Sequence, residues 1–366
     1  MSLYHKLNEI LDKSDNETVY DLYTCGCRLY LNDSFFKYRL TLLGSTNYVI
    51  KIVCSNSHLL AINDLGELYA CGENTYGQLG LGDKENRSTP TRIGSKSNWK
   101  EISCGEYHSL AINDRGELYA WGSNCYGQLG LGDEEDRLIP TRIGNRSNWV
   151  KISCGRYHSL AINDRGELYS WGRNYHGQLC LINMKNKLEP TLIKNISNCV
   201  NMSCGEFHSL AINNRGELYA WGYNYYGQLG SGDRTNRSTL TRIGSKSNWK
   251  EISCGVFHSF AINDRGELYA CGSNYHGQLG LGDKKDRLIL TQIWNKSNWV
   301  KISCGRYHSL AINDRGELYS WGSNYHGQLG LGDKIDRLTP TLLEKESNLI
   351  EVYAGSVCSF LLKKHE

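Results

Sequence analysis

Six times in this chain a cysteine is followed four residues later by a histidine, as in Cys104-Gly-Glu-Tyr-His108, and thiolate and imidazole are ligands that suit zinc. The other pairs are Cys54/His58, Cys154/His158, Cys204/His208, Cys254/His258 and Cys304/His308, each fifty residues from the next. Such spacing would distribute ligands around an array instead of converging four of them on one ion. The histidines therefore read as core residues hydrogen-bonded between neighbouring strands, and the cysteines as buried free thiols. Near Cys358 the histidine is replaced outright. A second candidate, Gly-Gln-Leu-Gly-Leu-Gly-Asp at Gly127 to Asp133, has the glycines of a phosphate cradle but neither the dinucleotide fingerprint nor a Walker lysine. Its glycines fit positive φ and close packing, and Asp83, Asp133, Asp233, Asp283 and Asp333 can bond loop backbone. No serine-histidine-acid or paired-carboxylate set stands apart, because each suitable residue type recurs unit after unit. No metal, cofactor or catalytic residue is expected, and the chain reads as non-enzymatic.

What must position these residues is a fifty-residue unit, seen cleanly from Trp99 to Asn148. A period of that length marks a propeller or solenoid. In His108-Ser-Leu-Ala-Ile112 the alternation predicts a strand, with His108, Leu110 and Ile112 on one face. Asn113-Asp-Arg-Gly116 predicts a tight turn, and Glu117 to Trp121 a returning strand. Ile102 to Cys104 and Pro140 to Ile143 predict the inner and outer strands, so that four strands make one blade. Six full units occupy 51–350. Residues 19–50 resemble the second half of a unit and 351–362 the first half, giving seven halves of each kind. The expected fold is all-β: a seven-bladed β-propeller of four-stranded blades, one continuous domain over 19–362, closed by the two terminal segments sharing a blade. Such closure removes long unpaired edges. Outside it, residues 1–18 carry Leu3, Leu7, Ile10 and Leu11 at helical spacing behind Ser2, a short amphipathic helix, and 363–366 form a tail.

Composition narrows the function classes. The 366 residues carry 41 basic and 38 acidic side chains, interleaved to a net charge of +3, which speaks against a nucleic-acid-binding domain. Fourteen cysteines without a secretory h-region fit a reducing compartment. No apolar run reaches membrane-spanning length, so no membrane partner is expected and the location reads as cytoplasmic or nuclear. Richness in Asn, Ile, Lys and Tyr points to an AT-rich genome, such as that of a large DNA virus or a protist, with the host cell or virion as the location in the viral case.

The repeated cores Cys-Gly-x-Tyr/Phe-His-Ser-Leu-Ala-Ile-Asn, Asp-Arg-Gly-Glu-Leu-Tyr, Trp-Gly-x-Asn and Gly-Gln-Leu-Gly-Leu-Gly-Asp resemble the regulator of chromosome condensation (RCC1-like) repeat over residues 19–362. The resemblance implies a seven-bladed ring with a shared terminal blade, and a protein-binding function. It also brings the alternatives of nucleotide exchange on a Ran-like small GTPase and of chromatin binding. The full units carry no inserted loop and the start of the chain no basic cluster, departures that weigh against both alternatives.

If repetition serves the ring, function belongs to the departures. The residue between Cys-Gly and the aromatic-histidine pair varies as Glu106, Arg156, Glu206, Val256 and Arg306. The aromatic residues beside them, Tyr107, Tyr157, Phe207, Phe257 and Tyr307, are either partner anchors or blade packing. In the 151–200 unit Cys180 to Lys187 replaces the glycine-rich loop. There Asn183 to Lys187 carries Lys185 and Lys187 and no acid, whereas Asp133 to Arg137 carries Glu134 and Glu135 among four acids against one arginine. Neighbouring blades thus present opposite signs to a partner. Trp294 is a further departure. Together these describe an interaction scaffold with a protein partner.

Overall fold

Every unit folds into the same four-stranded antiparallel sheet, and the reason is visible in the 101–150 unit of the computed structural model, which describes residues 20–26, 41–46, 49–293, 298–345 and 349–364. An inner strand, Trp99–Cys104, pairs with a second strand, His108–Asn113; the third is Leu118–Gly122 and the outer is Arg137–Arg142. All six residues of the second strand are buried, because it is flanked by strands on both edges and by neighbouring blades on both faces. The expected alternation is therefore present in direction but not in exposure. At the turn, Gly116 takes φ +70° and its N–H reaches the Asn113 carbonyl at 3.0 Å, while Asn113 Oδ1 accepts from the Arg115 and Glu117 amides at 3.1 and 2.9 Å. Gly122, φ +99°, admits the close approach of the next turn: a Cβ there would lie 2.5 Å from the Tyr107 carbonyl oxygen.

Seven such sheets form a ring. Each inner strand packs on the next, and Leu349–Ala354 packs on Val49–Cys54, which closes the circle. The closing sheet is ordered Thr41–Thr46, Tyr20–Cys25, Ser359–Lys364, Leu349–Ala354, so its inner half comes from the end of the chain and its outer half from the start. Counting half-units anticipates this arrangement. The helix expected over residues 1–18 lies outside the described residues.

Adjacent blades are fastened by a buried pair. His108 Nε2 meets Ser159 Oγ of the next blade at 2.9 Å, and Ser159 Oγ donates to the Gln128 carbonyl at 2.9 Å. Because the serine proton is committed to that carbonyl, the histidine must donate from Nε2 and is neutral, its pKa pushed down to about 3 by burial and the neighbouring histidines. The motif repeats from His58 and Ser109 to His308 and Ser359. The histidine thus bonds between neighbouring strands as the sequence suggests, and the two strands belong to adjacent blades. At the seventh joint both partners change together: Cys358 replaces histidine, Leu59 replaces serine, and the two lie in one apolar cluster. An unpaired buried polar group is avoided by that double change. The Trp-Gly tryptophans add a second fastening, Trp121 Nε1 donating to the Gln78 carbonyl of the preceding blade at 2.9 Å.

Candidate functional site

On the face where the inner strands end, seven equivalent turns, five of them Cys-Gly-x, converge on the mouth of the central channel. Asn56, Glu106, Arg156, Glu206, Val256, Arg306 and Ser356 stand around it. Five of the sequence-predicted residues are thereby brought together. The cavity they enclose is about 110 Å³, too narrow for a nucleotide and sized for a few waters or one slender side chain.

The mouth is electrostatically lopsided. Arg156 Nε lies 2.7 Å from Glu106, and its Nη1 bonds Glu206 on the other side. Burial works against the Arg156 charge, but the Glu206 and Glu106 carboxylates outweigh it and hold the guanidinium above its ordinary pKa. Burial pushes the Glu206 carboxyl up, only partly countered by Arg156. Across the channel Arg306 is flanked by Val256 and Ser356, and among the described residues it makes no ion pair; its guanidinium lies 5.3 Å from the Tyr307 ring.

Around the mouth lies a sheet of aromatic rings. Tyr107 and Tyr157 stack at 5.6 Å, Phe207 and Phe257 at 6.5 Å, and Tyr76, Tyr126 and Tyr226 meet their edges. Burial raises the Tyr107 phenol to about 12, so that ring stays neutral. The anchors proposed from sequence are half-buried, packing sideways while showing part of their surface. Sequence reasoning missed Arg173, whose guanidinium lies 4.7–5.9 Å from Tyr126, Tyr157, Tyr175 and Phe207 at once. Its signal was available: the residue after Trp-Gly or Cys-Gly varies as Glu73, Ser123, Arg173, Tyr223, Ser273 and Ser323.

The loop candidates sit elsewhere on this face. Glu134, Glu135 and Lys185 are exposed in the loops between third and outer strands, and Lys187 opens the outer strand of its blade. In the other full units this loop is pinned by an aspartate, as where Asp133 pairs with Arg137 at 2.5 Å and accepts from the Glu135 amide at 3.0 Å. The 151–200 unit has Asn183 and Lys187 instead. It also holds the positive-φ non-glycine residues among those described: Cys180, Met184, Asn195 and Asn198. Trp294 lies outside the described residues.

Among the described residues no helix is long and apolar enough to cross a membrane and no cluster could hold a metal ion. The cysteines described are free thiols, Cys125 exposed and the others buried or half-buried.

A closed ring of repeated four-stranded blades that gathers variable residues at one channel mouth, beneath an aromatic and arginine-bearing rim, is a β-propeller of the kind that presents loops from a rigid frame. The chain belongs to the RCC1-like domain family, whose profile matches residues 21–202 and 183–361. Its fold resembles that of Prp20p from Saccharomyces cerevisiae, a structure described together with binding to Gsp1p and histones, with a TM-score of 0.82 at 22% identity over 99% of this chain and 95% of that one. It also resembles human WBSCR16, with a TM-score of 0.83 at 22% identity over 95% and 99%. The mouse RCC1-like G exchanging factor-like protein is 42% identical over 45 residues, 12% of this chain and 10% of that protein. The Drosophila melanogaster E3 ubiquitin-protein ligase highwire is 38% identical over 55 residues, 15% and 1% respectively. The matched stretch spans a tenth or less of these two relatives' lengths.

Proposed function

We propose that this chain is a non-enzymatic protein-interaction scaffold whose working surface is the channel-mouth face. The observation that carries the reading is Arg173, which lies over four aromatic rings and makes no ion pair among the described residues. Arginine and tyrosine are the residues in which binding energy concentrates, and stacked rings cost little entropy to immobilise. Around this centre the acidic Glu134 and Glu135 and the basic Lys185 and Lys187 set the orientation of a partner by charge. Arg306 offers an acidic group on that partner a place at the mouth. The test is affinity capture from the native cell with wild-type protein and with Arg173→Ala and Tyr175→Ala. Loss of the same captured protein from both variants supports the reading, and undiminished capture by both overturns it.

Nucleotide exchange on a small GTPase is the second reading, supported by family membership and by the exchange-factor name of the mouse relative. It predicts tighter binding to a nucleotide-free GTPase and accelerated nucleotide release. Equal binding to loaded and empty forms rules it out.

A further inference from the structure

At the end of the ring opposite the channel mouth the inner strands begin, and the second residue of each full unit's inner strand is exposed there. In order around the ring these residues are Ile50, Lys100, Val150, Val200, Lys250 and Val300. The four apolar ones are 44–55% exposed, and lysine at the same position in two sisters shows that the strand itself does not require an apolar side chain. Leu65, also exposed at this end, stands in the turn where the five sister units have arginine. Scattered exposed apolar residues are ordinary, but four around one opening make a patch. Just inside it the next residues are engaged with one another from blade to blade. Lys51 pairs with Glu101 at 2.7 Å and Lys301 with Glu351, Asn201 Nδ2 donates to Glu251 at 3.2 Å, and Lys151 Nζ donates to the Val200 carbonyl at 2.6 Å. A group covering this end therefore meets an apolar surface flanked by two lysines, above charges that are already paired.

The chain itself delivers such a group. Tyr20 pairs with Lys364 and Thr46, and Cys25 with Ser359, so the strand Tyr20–Cys25 runs from this end toward the channel mouth and the nineteen residues before it arrive on the side of the patch. Among them Leu3, Leu7, Ile10 and Leu11 have the i, i+4, i+7, i+8 spacing of one helical face. Residues 1–18 also carry Glu9, Asp12, Asp15 and Glu17 against Lys6 and Lys13, an excess opposite in sign to Lys100 and Lys250. The reach is sufficient. A helix over residues 3–12 would be about 15 Å long and an extended connector over 13–19 spans up to roughly 23 Å, whereas two strand spacings, about 10 Å, separate the third strand of a blade from its inner strand. So short a tether holds the segment at an effective concentration on the order of 1 mM over this surface, which a free partner of equal affinity would have to exceed.

We propose that residues 3–12 form an amphipathic helix that docks across this end of the ring, seating its apolar face on Ile50, Val150, Val200 and Val300 and its acidic residues beside Lys100 and Lys250. The docking surface is separate from the channel-mouth face and does not depend on the function proposed for it. The test is hydrogen exchange of the full chain read by mass spectrometry, with a synthetic peptide of residues 1–18 as the unprotected reference. The amides of residues 3–12 are expected to exchange about tenfold or more slowly in the chain than in the peptide. That protection is expected to be lost in Val150→Asp/Val200→Asp, and equally in Leu7→Asp/Ile10→Asp, which leaves the ring untouched; far-UV circular dichroism checks the fold of each. Carbodiimide coupling in an equal mixture of isotope-labelled and unlabelled chains is expected to join Lys100 or Lys250 to an acidic residue of the segment within one chain. Exchange as fast as in the peptide, protection that persists in either folded variant, or cross-links found only between labelled and unlabelled chains, which would give the patch to a second copy, overturns the proposal.

Discussion

Acidification tests the neutral histidine ring directly. His58, His108, His158, His208 and His258 have pKa values pushed down to about 3, and His308 to about 4, chiefly by burial. In the unfolded chain each titrates near 6.5. Above that value neither state binds the protons and the contribution to stability is complete. Below it the unfolded state takes them up while the folded state does not, so stability falls with pH until the folded pKa is reached. At pH 5.5 each histidine costs about 1.4 kcal/mol, and the six together about 8 kcal/mol. At pH 5 the total approaches 12 kcal/mol, against a stability on the order of 5–15 kcal/mol for a folded domain. Cooperative acid unfolding is therefore expected between about pH 5 and 5.5, steeper than carboxylate protonation would produce. Far-UV circular dichroism against pH at fixed ionic strength, paired with urea titrations at pH 7 and 5.5, reads it out. A chain still native at pH 4, with the same urea midpoint at both pH values, would refute the assignment of six buried neutral imidazoles.

Other expectations follow from single contacts. Ser159→Ala strips the His108 Nε2–H of its acceptor while Gln128 keeps its bond from Trp171, so a loss of about 1–3 kcal/mol is expected in urea unfolding. Leu59→Ser, made where the chain has no histidine, is expected to destabilise too, by burying a hydroxyl against Cys358; a stabilised variant would contradict the paired-replacement reading. Met184→Gly relieves a φ of +52° at an exposed position and should raise stability by about 0.5–1 kcal/mol, measured by the thermal midpoint. Cys125 should react with a thiol reagent at once, whereas Cys154, Cys254 and Cys180, raised to about 12 by burial, should react only on unfolding; uniform labelling of the native protein would count against the packing described.

Much of the fold was legible because repetition makes each inference several times over. Seven inner and seven outer half-units give the ring and its shared blade before any coordinate is seen. Strand limits were less readable: the outer strand begins at Arg137, three residues before Pro140, because Arg137 is held by Asp133 in the loop. That the His–Ser bond crosses from one blade to the next was not legible, for a geometric reason. Its partners lie 51 residues apart, one unit and one residue, and no local pattern separates that contact from one within the sheet. At the site, the variable residues of the Cys-Gly-x turns could be named from sequence, since register places them together. Arg173 could not be ranked among variable positions, because its four rings come from the loops and turns of three blades.

The shared blade has a further consequence for how the ring is made. Thr24 Oγ1 donates to the Ser359 carbonyl across a sequence separation of 335 residues, and the strand Tyr20–Cys25 pairs in register with Ser359–Lys364. During synthesis the early strands wait with an open edge while six blades emerge and stack behind them. This pairing, between strands far apart in sequence, carries a large loop entropy to overcome. Until the strand Ser359–Lys364 has emerged from the ribosome, that edge is free to pair with another nascent chain. The open edge that favours misassembly is therefore located at this seam.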